Sequence, residues 1–475
     1  MAKKNIFIKL ILGLSFSIII FGLAHGGFIF WKLNSIEKKI SIKNENGNHI
    51  LDSFRNIIAS PDQNKLKKTA NGRINILLLG IAGKNKPGNN LTDTIMIASV
   101  NTKTGKVALL SIPRDLYIDA PEINYQGKIN SIYEYGLRKY PENTEKSMGP
   151  IKKITQDITS LDIHYWAVIN FDGFQRAVDS IGGINITNER DIYDPRYPGP
   201  NYSYEIFELK KGFHHLDGAT ALKYARMRHN DPESDFGRAK RQQQVMQAIK
   251  NKIFSTGTLL NAVALNQFLN TLGENIKTDI PRSDFGDFII LIKNLDTNNI
   301  NNVVLDAWKN DSLLRGSHMA GISALIPRVG NWSEVQDLAQ NIFDTNQIKR
   351  TREEIAKENA SVVVINRSGN SVVMNQINKL LKDSFGYRNV VILSDSEKNV
   401  NSETLVYDLT EKNKPFTQNE LMKKLPAKNG GTLEIKDKNL LGNMSADLVL
   451  IIGQDLIPRF SMAEVSFKDY NEDNE

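Results

Sequence analysis

The sequence predicts an α/β protein: a main domain of the α-β-α sandwich type with a mixed central sheet, one transmembrane helix before it and a small α/β domain after it. Three observations predict this. An uncharged apolar run lies near the N-terminus, short apolar runs of strand length alternate with helix-length stretches from residue 73 onward, and the alternation restarts after a polar break near residue 350. At 475 residues the chain exceeds what one core usually organises, so two folded units with connecting segments are expected.

The run from Leu10 to Trp31, LILGLSFSIIIFGLAHGGFIFW, holds no Asp, Glu, Lys or Arg. At about 1.5 Å per residue it covers the roughly 30 Å hydrocarbon core of a lipid bilayer. Lys3, Lys4 and Lys9 precede it, so the positive-inside bias makes residues 1–9 cytoplasmic and the bulk of the chain extracytoplasmic, as expected of a single-pass protein of the cell membrane. A cleaved signal peptide would have a shorter apolar region and a small-x-small exit, whereas Phe28, Ile29, Phe30 and Trp31 stand there. The absence of cysteine excludes disulfides, thiolate zinc sites and cysteine nucleophiles. A net charge of +7 suits an anionic membrane or an anionic cell-wall polymer, and a location outside the membrane argues for no nucleic acid as partner.

Residues 32–72 read as a polar stalk. The runs Ile74 to Gly80, Thr94 to Val100 and Lys106 to Ile112 are strands, and their near-continuous hydrophobicity says that both sheet faces are covered. The polar stretch Asn101 to Gly105 joins the last two as a hairpin. HYWAVINF is a further strand, FDGFQRAVDSI a helix stopped by Gly182 and Gly183, and INIT another strand. Asp191 to Ser203, rich in Pro and Tyr, reads as a loop, Phe236 to Ile253 as a long helix, and Asn261 to Asn294 as helical with a break near Pro281. The main domain is thus expected over 73–345, a linker over 346–360, the second unit over 361–456, and an acidic tail without structure over 457–475.

An antiparallel meander of the first three strands puts Gly80, Asp93 and Arg114 on one edge of the sheet. Asp93 offers a hard oxygen ligand for Mg²⁺, and Arg114 a planar fork that matches phosphate. Taken alone, Asp93 could equally be a loop acid, and Arg114 a local partner of Asp115. The stronger cluster is YARMRHNDPESDFGRAKRQ, Tyr224 to Gln242. Arg226 and Arg228 share a face if that segment is extended. Asp235 sits where an N-cap is needed, and Arg238 and Gln242 follow on one helical stripe that continues through Val245 and Ile249. A helix N-terminus adds unpaired N–H groups and partial positive charge, so these residues suit a diphosphate. The competing reading is that Arg226, Arg228, Arg238 and Arg241 form a solvated basic face.

The motifs LLLG, TDT, LLSIPRD, GKIN, LDGATALKYARMR and DFGRAKRQQ, in this order, resemble the LytR-CpsA-Psr family, and VVVINRSGN resembles the start of the LytR C-terminal domain. The resemblance implies a membrane-anchored phosphotransferase that moves a glycopolymer, such as teichoic acid or capsule, from a polyprenyl diphosphate carrier to peptidoglycan during cell wall biogenesis. It implies pyrophosphate binding by Arg114, Arg226, Arg228, Arg238 and Gln242, Mg²⁺ (or Mn²⁺) on Asp93, and Asp235 as an acid that orients the arginines. It further implies that the polyprenyl tail lies within the sandwich, with Ile97, Leu109, Val168 and Phe174 as candidate lining.

One stretch departs from the family pattern. Members carry an acid and an arginine just after LLLG, but this chain reads GIAGKNKPGNNLTDT, with Ala82 near the acid's place and Lys84 or Lys86 as the nearest cations. Two other functions therefore stay open: a polyprenyl diphosphate hydrolase, in which water replaces the acceptor, and a non-catalytic binder of polyprenyl diphosphate or cell wall.

Overall fold

The computed structural model describes residues 66–199, 203–228, 231, 233–255, 273, 275–281, 284, 287–288, 290–291, 294–308, 312–344, 346–393, 400–461, 465 and 469–470. The expected transmembrane helix, and the stalk as far as residue 65, lie outside these. Among the described residues no helix is long and apolar enough to cross a membrane.

In chain order the first unit contains β1 (Arg73–Ile81), β2 (Thr92–Asn101), β3 (Lys106–Ile112), β4 (Tyr117–Ala120), β5 (Tyr125–Lys128), α1 (Ile132–Lys139), α2 (Thr144–Thr159), β6 (Tyr165–Asn170), α3 (Phe171–Ser180), β7 (Ile184–Asn188), β8 (Ile192–Pro198), β9 (Tyr204–Leu209), β10 (Gly212–Leu216), α4 (Gly218–Arg226), α5 (Ser234–Ser255), β11 (Ile276–Thr278), β12 (Asp296–Val304), β13 (Leu314–Met319), β14 (Ile322–Pro327) and α6 (Ser333–Gln340). Its main sheet has the order β11-β6-β1-β2-β3-β12 and is mixed. β1 runs parallel to β6 and β3 parallel to β12, while β2 is antiparallel to both β1 and β3. Hence β1, β3, β6 and β12 all end at one edge, and β2 begins there.

Strand alternation covers both faces, as the apolar runs predict. Leu77 and Leu79 of β1 join Ile95, Ile97, Leu110, Ile112 and Trp166 in a cluster with Met148, Ile151, Ile154 and Ile158 of α2. Ile74 of β1 instead joins Val100, Val107 and Tyr165 in a cluster with Phe288 and Leu291. The period of two in the strands and of three to four in α2 makes this division. The Asn143 side chain caps α2, accepting from the Lys146 amide at 2.8 Å.

The structure differs from the sequence reading at Asp191 to Ser203. β8 lies there and pairs antiparallel with β9, with a register shift between Asp194 and Tyr197. Pro195 and Pro198 supply no N–H, which suits a two-stranded ribbon and hid the strand. The expected linker holds the helix α7 (Asn346–Glu358).

The second unit comprises β15 (Ser361–Asn366), α8 (Ser371–Lys379), β16 (Asn389–Leu393), β17 (Leu405–Asp408), α9 (Pro415–Lys424), β18 (Lys428–Asn429), α10 (Ile435–Leu441), β19 (Leu448–Ile452) and α11 (Ile457–Phe460). Its small mixed sheet has the order β16-β15-β19-β17-β18. The two units are joined through buried charge: Arg328 donates to both oxygens of Glu334 at 2.7 and 2.8 Å, and Lys424 of α9 lies 3.2 Å from the same carboxylate. Burial alone would raise the Glu334 pKa, but the hydrogen bonds and charges of Arg328 and Lys424 hold it below the usual glutamate value. The tail also differs from the expectation, since Val465 and Tyr470 are buried in the cluster of the first unit.

Candidate functional site

The shared strand edge gathers the first residues of the site. Gly80 pairs with Thr94 on β2 and with Ile169 on β6, and Ile95 pairs with Ile112 on β3. Asp93 and Arg114 are therefore near neighbours across β2 and β3. The Arg114 Nη1 donates to Asp93 Oδ1 at 2.7 Å, and its Nε lies 3.5 Å from Asp115 Oδ2. Asp115 is buried and also holds Lys128 Nζ at 3.0 Å. Arg114 thus makes the local pair with Asp115 that the sequence left open and a second pair, with Asp93, that it did not anticipate.

Arg226 reaches the same edge from another direction. It is the last residue of α4, a helix capped by Asp217, whose side chain accepts from the Thr220 amide at 2.7 Å. This corrects the expected extended segment: the ATALKYAR run favours helix up to Arg226, and only Met227 turns extended, at ψ 134°. Met227 is buried, while Arg226 and Arg228 on either side of it are half-buried. The Arg226 guanidinium lies 4.3 Å from the centroid of the Phe171 ring and 5.7 Å from that of Tyr197, and its Nη1 donates to the Tyr197 hydroxyl at 3.3 Å. Burial pushes the Tyr197 hydroxyl up to about 12, against the opposing charge of Arg226, so it serves as a neutral partner. Phe171 begins α3 where β6 ends, its turn fixed by Asn170 Oδ1 accepting from the Gly173 amide at 2.7 Å.

The helix α5 supplies the rest. It begins at Ser234, two residues ahead of the expected start at Phe236, so Asp235 lies within the first turn and not at the N-cap; the Asp235 side chain is outside what is described. Arg238 and Arg241 are only 7% and 6% exposed, which rules out the solvated basic face for these two. Arg241 pairs with Asp231, donates to the Tyr224 carbonyl at 3.1 Å and also reaches the Met227 carbonyl. Arg190 approaches the other Asp231 oxygen at 2.5 Å. Gln242 donates to the Ala225 carbonyl at 3.4 Å, and Gln243 to Ser111 Oγ and the Val303 carbonyl, each at 2.9 Å. α5 is thereby tied to the end of α4 on one side and to β3 and β12 on the other. A side chain at Gly237 would collide with the Asp231 carboxylate, so glycine is needed there.

The Ala82 segment is part of the same edge. Ala82 is buried, and its carbonyl accepts from the Phe171 amide at 3.4 Å. Gly83 takes φ +95°, and Lys86 reaches Asp172 of α3 at 2.7 Å. Among the described residues no group of three or more His, Cys, Asp and Glu is placed to hold a metal. Asp93 offers one carboxylate, which fits an ion such as Mg²⁺ that keeps waters and takes phosphate oxygens for its other positions. Of the candidate lipid-lining residues, Ile97 and Val168 lie in the α2-side cluster, and Phe174 packs against a different one. A cleft of about 1110 Å³ runs along α5, lined by Arg190, Arg241 and Gln243 and, farther on, by Lys240, Arg352 and Lys424.

Sequence reasoning missed Phe171, Tyr197, Arg190 and Asp231. Asp231 lies just before the DFGRAKRQ motif, and no local pattern marks it as the partner of Arg190 and Arg241.

Residues 33–338 match the model of the LytR_cpsA_psr family. The polyisoprenyl-teichoic acid–peptidoglycan teichoic acid transferase TagU of Oceanobacillus iheyensis is 32% identical over 207 residues, 44% of this chain and 59% of that protein. The regulatory protein MsrR of Staphylococcus aureus is 37% identical over 216 residues, 45% of this chain and 58% of that protein. The matched stretch thus spans under two thirds of these relatives' own length. The crystal structure of Bacillus subtilis TagV covers 58% of this chain and 99% of its own at 21% identity, with a TM-score of 0.44.

Proposed function

The chain belongs to the LytR_cpsA_psr family, and we propose that it is a membrane-anchored phosphotransferase that moves a glycopolymer from a polyprenyl diphosphate carrier to peptidoglycan. The observation that carries the reading is the gathering of Arg114 on Asp93 and Arg226 on Phe171 at one sheet edge, backed by the buried Arg238. The name of the TagU relative accords with it, as teichoic acid transfer to peptidoglycan is what that name describes.

A sugar hydroxyl of peptidoglycan attacks the phosphorus bonded to the glycan. The new O–P bond forms, the bond to the bridging oxygen breaks, and polyprenyl phosphate leaves with the electron pair. Arginine forks stabilise the charge that spreads over the phosphoryl oxygens, and positioning with electrostatics accounts for most catalysis of such transfers. The hydroxyl proton passes to a carboxylate at the site, Asp93 or Asp235. Held by Asp93, Mg²⁺ (or Mn²⁺) would supply further positive charge to those oxygens. Residues 10–31 would hold the protein in the bilayer with its bulk extracytoplasmic, where carrier and acceptor meet.

Purified protein given labelled carrier-linked glycan and peptidoglycan should produce label bound to the polymer wall. Release of free glycan without transfer would assign hydrolysis. Tight diphosphate binding with no turnover would assign the non-catalytic role.

A further inference from the structure

We infer that the segment bearing Val465 and Tyr470 positions Arg114, acting through the hairpin β13–β14. The inference rests on Arg114 being a diphosphate ligand, as proposed above.

The connection runs through backbone contacts. Val465 N donates to the Gly316 carbonyl at 3.2 Å, and Gly316 of β13 pairs with Leu325 of β14. The Leu325 amide donates to the Asp115 carbonyl at 2.9 Å, and Leu325 bridges Leu116 in parallel register. Asp115 in turn contacts Arg114 Nε and Lys128. Three links therefore separate Val465 from the residue that follows Arg114.

Side chains lock the first link. Val465 and Tyr470 are 8% and 4% exposed, and the Tyr470 ring lies 5.1 Å from that of Trp308. Gly316 permits this close packing: a Cβ there would stand 2.5 Å from Trp308 Cη2 and 3.2 Å from the Val465 carbonyl. A second staple lies beside it, Arg315 Nη2 donating to the Arg459 carbonyl at 2.9 Å. A two-stranded hairpin has little stability of its own, so it depends on what packs against it. Here one strand is held by the segment after Ser461 and the other holds the Arg114 loop. Phosphate-binding forks must be fixed to within about half an ångström, so loosening the hairpin weakens Arg114 as a ligand.

The test uses the full chain and its deletion of residues 462–475, with farnesyl diphosphate as the probe in a direct binding titration. Deletion should weaken binding roughly 10-fold, less than loss of the guanidinium itself. A peptide of residues 462–475 added in trans should restore it, and the deletion should add nothing in an Arg114→Ala background. Tyr470→Ala should weaken binding several-fold while Tyr470→Phe, which keeps the ring, should not; this pair also decides the matter if the deleted chain fails to fold. Unchanged affinity on deletion, or equal affinities for Tyr470→Ala and Tyr470→Phe, with Arg114→Ala still impaired, would overturn the inference. An Arg114→Ala chain that binds like wild type would overturn the diphosphate reading instead.

Discussion

Asp231 stands between two guanidinium groups, one oxygen against Arg190 at 2.5 Å and the other against the buried Arg241. Through Arg241 the carboxylate also fixes the Tyr224 and Met227 carbonyls, the segment on which Arg226 and Arg228 are mounted. Replacing Asp231 by Asn leaves a buried arginine without its counter-charge. The expected cost is about 3–5 kcal/mol, read as a drop in the urea midpoint, with weaker diphosphate binding in the remaining folded protein. Stability within about 0.5 kcal/mol of wild type would show that the pair does not organise the segment.

The stack of Arg226 on Phe171 predicts a smaller effect. Phe171→Leu keeps apolar bulk but removes the ring face beneath the guanidinium. A cation–π contact of this partly buried kind is worth about 1 kcal/mol, so diphosphate affinity should fall about five-fold with little change in melting temperature. Calorimetric titration reads the first and thermal unfolding the second.

Asp93 separates the metal reading from a purely arginine site. Asp93→Asn keeps the shape and an acceptor for Arg114 but removes the charge a divalent cation needs. Turnover should then lose its response to added Mg²⁺. A retained Mg²⁺ response would place the ion elsewhere.

Glu334 sets a pH limit on the junction of the two units. Its folded pKa lies below the usual glutamate value, so the unfolded chain binds the proton first as pH falls. The stabilisation is fully present above the unfolded value and is lost as pH drops through the folded one. Denaturant unfolding between pH 7 and pH 3 should therefore show a loss in wild type that Glu334→Gln lacks. The variant should be less stable at pH 7 by about 3 kcal/mol, having broken a buried pair.

Much of this was legible in the sequence wherever the pattern is local. Lys106–Ile112 forms a strand with the predicted bounds because an apolar run flanked by polar residues leaves one choice of period. The edge that joins Asp93 to Arg114 followed from a meander with short turns. What stayed hidden is non-local or set by competing local signals. Asp231 meets Arg190 and Arg241 only once β7, β8 and α5 are assembled, and no spacing reveals that. The alternation of Arg226 and Arg228 suggests an extended segment, but the helical preference of ATALKYAR prevails up to Arg226. The tail is polar in composition, yet Val465 and Tyr470 fill a gap beside Trp308 that exists only in the folded chain.

In the proposed reaction, guanidinium groups from separate elements act on one diphosphate. Titrating farnesyl diphosphate and farnesyl monophosphate into wild type, Arg114→Ala and Arg226→Ala measures it most directly. Wild type should prefer the diphosphate, and each variant should lose about 10- to 100-fold in diphosphate affinity with that preference reduced. Wild-type affinity in either variant would contradict it, because that guanidinium would then not reach the ligand.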